Sequence, residues 1–299
     1  MANFLQHTFN GLVSGSFYAL LALGLAVIFG MLRVVNFAHG ATYMLGAFGA
    51  YILSAELGLS FWWAILVVPV VLGLVGMVLE RTAVRRLSTL DPLYNFLLTF
   101  GLTLILQDLV RSRYTVSSVD YAQPAGLTGQ VDLGLFTFPT YRVFVLAVAV
   151  AVCTGVWAAL TRTRVGIVVR AATERPELTG ALGIDVGRWV TPVFGFGTAL
   201  AALSGVLAAP MRAVNPLMGA DLIIVVFAVV VIGGLGSVFG SVAAGFAIGL
   251  IQGWVQAYAP ALLPPTLAAI VSQTLVFVLM AVVLLWRPSG LFGREEAMA

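Results

Sequence analysis

The chain has no lysine; all fifteen of its basic residues are arginine. A nucleotide-binding loop of the GxxxxGK[ST] type therefore cannot exist in it, and ATP cannot be hydrolysed here by that device. Cysteine is reduced to Cys153, set inside an apolar run. That excludes an internal disulfide and a thiolate metal cluster. Histidine is limited to His7 and His39, too few for the imidazole-rich sites that zinc commonly takes. HExxH, a nucleophile–base spacing and paired carboxylates are also missing, so a membrane-embedded enzyme has little to build from. Charged residues make up only 9% of the chain, and no basic stretch interleaved with aromatics offers itself to nucleic acid. The opening MANFLQHTFN lacks the positive n-region of a cleaved signal, so the first apolar run is expected to stay in the mature protein.

Hydrocarbon fills the chain instead: 61% of the 299 residues are hydrophobic. A soluble protein of this length could not hide so much apolar side chain, so the class is integral membrane protein. Uncharged apolar stretches run at 9–32, 57–79, 92–107, 143–161 and 189–211, and 34–55 also lacks Asp, Glu and Arg but carries Asn36 and His39 and is rich in glycine. Residues 222–286 carry neither charge nor histidine. At about 1.5 Å per residue that is roughly 100 Å of helix, or about three passes. GGLGS at 233–237 and APALLPP at 259–265 divide it. The piece 222–232 is too short to span alone and reads as a half-helix.

Arginine placement sets an expected orientation. With 33, 81–91, 161–188 and the C-terminus in the cytoplasm, eleven arginines lie inside and four (111, 113, 142 and 212) outside. Positive charge favours the inner side, so the N-terminus is expected outside and the C-terminus inside. Nine apolar elements lie between, some of them possible re-entrant segments. The expected fold is an all-α polytopic membrane protein of eight to nine transmembrane or re-entrant helices.

RVVNFAHGA at 33–41 matches RAVNPLMGA at 212–220 when the chain is shifted by 179 (212 minus 33). Arg33, Val35, Asn36, Gly40 and Ala41 fall on Arg212, Val214, Asn215, Gly219 and Ala220. The alternative to a true repeat is coincidence between two helix-ending turns. The orientation above puts the copies on opposite faces, as inverted repeats with broken helices have in transporters. The chain then reads as one transmembrane domain over 1–299. Within it, 9–111 is a first repeat, 143–161 a linking helix, 162–188 a cytoplasmic coupling segment and 189–286 a second repeat.

Polar groups in hydrocarbon are costly unless they face a cavity or satisfy freed backbone groups. Asn36, His39, Gly40, Asn215 and Gly219 are therefore candidates for a helix break on a translocation path. Asn36 and Asn215 could lock the breaks or touch the solute; both remain open. His39 matches Met218, so it has no symmetric duty, and it is read as a neutral side chain near an inner gate.

The segment 161–189, TRTRVGIVVRAATERPELTGALGIDVGRW, carries five arginines and apolar residues at helical spacing (Val165, Val168, Val169, Ala172), with Pro176 expected to break it. It is either a solvated positive-inside loop or a docking element that receives mechanical work from a cytosolic partner. Arg164, Gly166, Arg170 and Gly183 are the candidate coupling residues.

NGLVSGSFYALLALGLAVIFGMLRVVNFAHGATYMLGA resembles the start of the permeases of branched-chain amino acid ABC transporters, of the LivH-type subunit. TRVGIVVRAATERPELTGALGID, AAPMRAVNPLMG, VVIGGLGSVFGSVAAGFAIG and RPSGLFGR match later family segments in order, over about residues 10–294. Where family members often carry an acid directly after NFAHG, this chain has Ala41. The resemblance implies an ATP-driven importer subunit in the bacterial inner membrane, forming the path for branched-chain or hydrophobic amino acids. It implies as partners a second related permease, two cytosolic ATPases that hold ATP and magnesium, and an extracytoplasmic binding protein. No cofactor is expected in this chain. The wider group also moves urea, amides and other small solutes. An ion-coupled secondary transporter is the rival class, but such proteins keep ionisable groups at mid-membrane. Here Glu80 and Asp108 lie near helix ends beside Arg81 and Arg111. A channel would not need the docking segment.

Overall fold

The computed structural model describes residues 2–293 except 89, 116, 133, 135 and 175. Arg175 of the expected coupling segment and the tail from 294 therefore lie outside the described residues. Among the described residues twelve α-helices follow in chain order: α1 (Ala2–Leu32), α2 (Ala38–Tyr51), α3 (Phe61–Leu79), the short α4 (Arg85–Leu87) and α5 (Pro92–Tyr114). A β-hairpin of β1 (Gln130–Asp132) and β2 (Thr137–Pro139) precedes α6 (Thr140–Arg162), α7 (Arg164–Glu174) and α8 (Pro176–Ala181). The last four are α9 (Val186–Ala208), α10 (Met218–Gly233), α11 (Val238–Leu262) and α12 (Pro265–Trp286).

Among the described residues, seven helices are long and apolar enough to cross a membrane, and this is an all-α polytopic membrane protein. The helix that contains 92–107 gains its length by running on through Asp108 to Tyr114. Two further helices, α2 and the apolar α10, are shorter. α2 has 14 residues and is continued by a π-helical turn at Ile52–Glu56; α10 has 16 and begins four residues before the 222–232 stretch. The glycines at 233–237 end α10 and the prolines at 264–265 separate α11 from α12, because both interrupt helical backbone. The hairpin is an addition that hydropathy did not foretell. Its register, Val131 opposite Phe138, buries Phe138 against Phe9.

Backbone contacts gather the chain into two compact units, each drawing on both halves of the sequence. They cut across the division at 9–111, 143–161 and 189–286. The first holds Met1–Ala22, Ala125–Thr154 and Val225–Ala299. In it α1 crosses α11 so closely that a Cβ on Gly249 would overlap the backbone of Gly15. Small residues permit such crossings where lipid supplies no hydrophobic drive between helices. The Tyr18 hydroxyl donates to Gln252 Oε1 (2.7 Å) and Trp254 Nε1 to Thr8 Oγ1 (3.0 Å) across the same pair. The RPSGLFG tail turns back on the α10–α11 corner, where the N–H groups of Leu291 and Phe292 donate to the carbonyls of Ile232 and Gly233.

The second unit holds Leu23–Pro124 and Gly155–Ile224. Here α9 packs along both α2 and α3. Gly46 abuts Ala202 and Gly205 abuts the carbonyl of Tyr43, with no room for a Cβ at either glycine. The region of interest for function lies in this unit.

Candidate functional site

The first motif is a break in the backbone. α1 stops at Leu32, and Arg33 takes a positive φ of 51°, a left-handed conformation that costs a residue with a Cβ about 1–2 kcal/mol. Helix resumes at Ala38, and no side chain of its own caps it. The joint is held from another helix instead: the Phe37 N–H donates to Thr99 Oγ1 of α5 at 3.3 Å. The Phe37 ring meets Phe96 edge-on at 5.0 Å.

α5 presents polar side chains every four residues at Asn95, Thr99, Thr103 and Gln107, one face of a helix. The first three are buried, Asn95 to 1% exposure. Thr99 and Thr103 return their hydroxyl protons to carbonyls one turn back, which leaves Thr99 Oγ1 free to accept from Phe37. Asn95 is different. Its carboxamide oxygen and nitrogen are both shielded from solvent and, among the described residues, neither has a hydrogen-bond partner. Asn36 Oδ1 is in the same condition, in a side chain 5% exposed. Leaving such groups unpaired costs about 1–3 kcal/mol each, so two on either side of the Phe37–Thr99 bond mark a site rather than a packing accident.

The second motif is built otherwise. Asn215 Oδ1 accepts from the Leu217 N–H (2.9 Å), and Asn215 Nδ2 donates to the Ala213 carbonyl (3.4 Å). This side chain closes its own turn, as Asn does before a helix. Beside it Val214 and Val119 exchange two backbone hydrogen bonds. The two motifs touch at equivalent positions: a Cβ on Gly40 would overlap the Gly219 carbonyl oxygen, and one on Gly219 would overlap that of Gly40. His39 is fully buried, with its imidazole edge against Gly24 and its carbonyl accepting from the Thr42 hydroxyl at 2.7 Å.

The expected coupling residues form a separate surface. Gly166 lets α7 fold back on the last turn of α6, for a Cβ there would strike the carbonyls of Ala159 and Leu160. Gly183 (φ 86°) turns the chain after α8 in a conformation that suits glycine. Arg164 and Arg170 are exposed. Of the apolar residues at helical spacing, Val169 and Ala172 are buried, while Val165 faces out with Ile167, Leu178 and the 81% exposed Leu182. The far end of the segment is tied down. Glu80, with no exposed surface, pairs with Arg85 at 3.0 Å and accepts from Thr191; Arg85 also donates to the Gly187 carbonyl at 2.7 Å.

Sequence reading singled out neither the α5 stripe nor this ion pair. The fourfold spacing in NFLLTFGLTLILQ was a visible signal for the stripe. For Glu80 the neighbouring Arg81 drew attention, whereas the π-helical turn Glu80–Val84 brings position 85 round to it.

The chain matches the family model described as "Branched-chain amino acid transport system / permease component" over residues 7–284. It is 30% identical to the high-affinity branched-chain amino acid transport system permease protein LivH of Escherichia coli K12, over 98% of this chain and 96% of that one. It is equally identical to the permease protein BraD of Pseudomonas aeruginosa, over 98% and 97%. A probable branched-chain amino acid transport permease protein of Methanocaldococcus jannaschii is 27% identical over 77% and 74%.

Proposed function

Because this chain belongs to the permease component family of branched-chain amino acid transport systems, we propose that the broken helix at 33–37 and the polar face of α5 line the route by which branched-chain amino acids cross the membrane. The chain is a transport permease subunit of a multi-component ABC importer and resides in the membrane. One observation carries the route: the Asn95 carboxamide and the Asn36 Oδ1, buried and without a hydrogen-bond partner among the described residues, can between them donate to and accept from a passing polar head group or its water. The surrounding phenyl rings of Phe37 and Phe96 suit an aliphatic side chain.

In this reading a second, related permease completes the path, and an extracytoplasmic binding protein delivers the solute. Two cytosolic ATPases hold ATP and magnesium and drive the cycle. They dock on α7 and α8, where Arg164 and Arg170 supply charge and Val165, Ile167 and Leu182 supply apolar contact. Gly166 and Gly183 keep that surface in shape, and the Glu80–Arg85–Thr191 cluster passes its movement to α3 and α9. The N-terminus lies outside and the C-terminus in the cytoplasm, as the arginine bias favours.

The test is uptake and solute-dependent ATPase activity of the reconstituted complex, screened with leucine, isoleucine, valine, urea and small amides. Leucine-driven activity lost in Asn95→Leu, with the complex still assembled, supports the reading. Activity with urea or amides alone sinks the substrate assignment.

A further inference from the structure

A cavity of about 400 Å³ opens where the last two turns of α5 meet the turn of the second motif. Its α5 wall carries Leu104, Gln107, Asp108 and Arg111, spaced by three and four residues and so on one helix face. Ile105 adds to this wall, and Pro216 and Leu217 close the other side. The volume falls in the range of small-molecule sites, about 300–1,000 Å³.

The chemistry of the lining is specific. Asp108 and Arg111 stand one turn apart, yet among the described residues neither side chain has a hydrogen-bond or ion-pair partner. The Gln107 amide nitrogen is shielded from solvent and has no acceptor among the described residues. Asp108 and Arg111 lie near the end of α5, exposed beside Leu104, Ile105 and Leu109, where charge turns to water or to a partner rather than to lipid.

We propose that this cavity receives an α-amino acid as a zwitterion before it reaches the broken helix. The Arg111 guanidinium takes the carboxylate in its two-pronged geometry, helped by the Gln107 N–H. Asp108 takes the ammonium group, and Leu104, Ile105 and Leu217 hold the aliphatic side chain. The net charge of the cavity stays balanced, so a cation or an anion alone leaves one partner unpaired. This rests on the reading above that α-amino acids pass through the chain.

The complete complex in nanodiscs, without its binding protein, is irradiated with a diazirine analogue of leucine and the labelled peptides are mapped. Label is expected in 104–111 or at Leu217, competed by leucine but poorly by leucinamide or 4-methylpentanoate. Arg111→Gln and Asp108→Asn should each weaken competition by leucine about tenfold, one charge-assisted contact, and Arg111→Lys should recover part of it. Arg111→Gln should also erase the preference over leucinamide, and Asp108→Asn the preference over 4-methylpentanoate. Assembly is read separately, from co-purification of the ATPases with each variant. Label elsewhere, or label indifferent to all three substitutions, overturns the proposal while leucine uptake by the wild-type complex still upholds the transport reading. So does a result in which the variants weaken only capture of the binding protein. If wild-type complex with its binding protein imports no amino acid, the transport reading fails first and this site falls with it.

Discussion

RVVNFAHGA and RAVNPLMGA share five of nine residues, and the structure uses the shared asparagine in opposite ways. Asn215 spends both ends of its carboxamide on its own turn. Asn36 leaves its oxygen buried and, among the described residues, unpaired, while a threonine from α5 holds the joint beside it. The residue between asparagine and helix explains part of this. Pro216 has no N–H, so its turn needs only Asn215 to secure Leu217. Phe37 has an N–H and sends it to Thr99. One motif is self-contained; the other depends on its neighbour and keeps a polar group in reserve. A repeat in sequence is therefore not a repeat in duty.

The most decisive way to break the comparison is to ask whether the copies face opposite sides. On a Cys153→Ser background, Arg33→Cys and Arg212→Cys should react with a membrane-impermeant maleimide from the inside and the outside respectively. Labelling of both from one side removes the inverted relation. Next in size is the reciprocal contact. Gly40→Val and Gly219→Val should each cost about 3 kcal/mol by overpacking, seen as loss of monodisperse protein in size exclusion, and to similar extents. Tolerance of either one breaks the symmetry of the pair.

The asparagines themselves should separate by readout. Asn215→Ala loses two local hydrogen bonds, the shorter worth about 1 kcal/mol, and should lower the melting temperature with the apparent affinity for solute unchanged. Asn36→Ala has no oxygen contact to lose; it should leave the melting temperature unchanged or higher and reduce uptake about tenfold. Equal destabilisation in both would make Asn36 a lock as well. The smallest effect is expected of His39→Met, which copies the second motif and should fold normally. If its uptake and selectivity also match wild type, His39 has no place on the route.

The class of the protein and the corners at 233–237 and 259–265 were legible in the chain. Hydropathy and the backbone limits of glycine and proline are properties of each stretch by itself, additive along the sequence, and lipid demands helix of any apolar run long enough. The same uniformity hid the site. Within a spanning segment Asn95 reads as one polar residue among leucines, and nothing local says whether its amide is paired. That depends on which atoms another helix brings within 3 Å. The sequence by itself determined where the helices are and where they must stop. Only tertiary structure decided that Gly40 meets Gly219, that Thr99 rather than Asn36 secures the break, and that Arg85 reaches the Gly187 carbonyl, because hydrogen bonds and close backbone contacts form between segments distant in the chain.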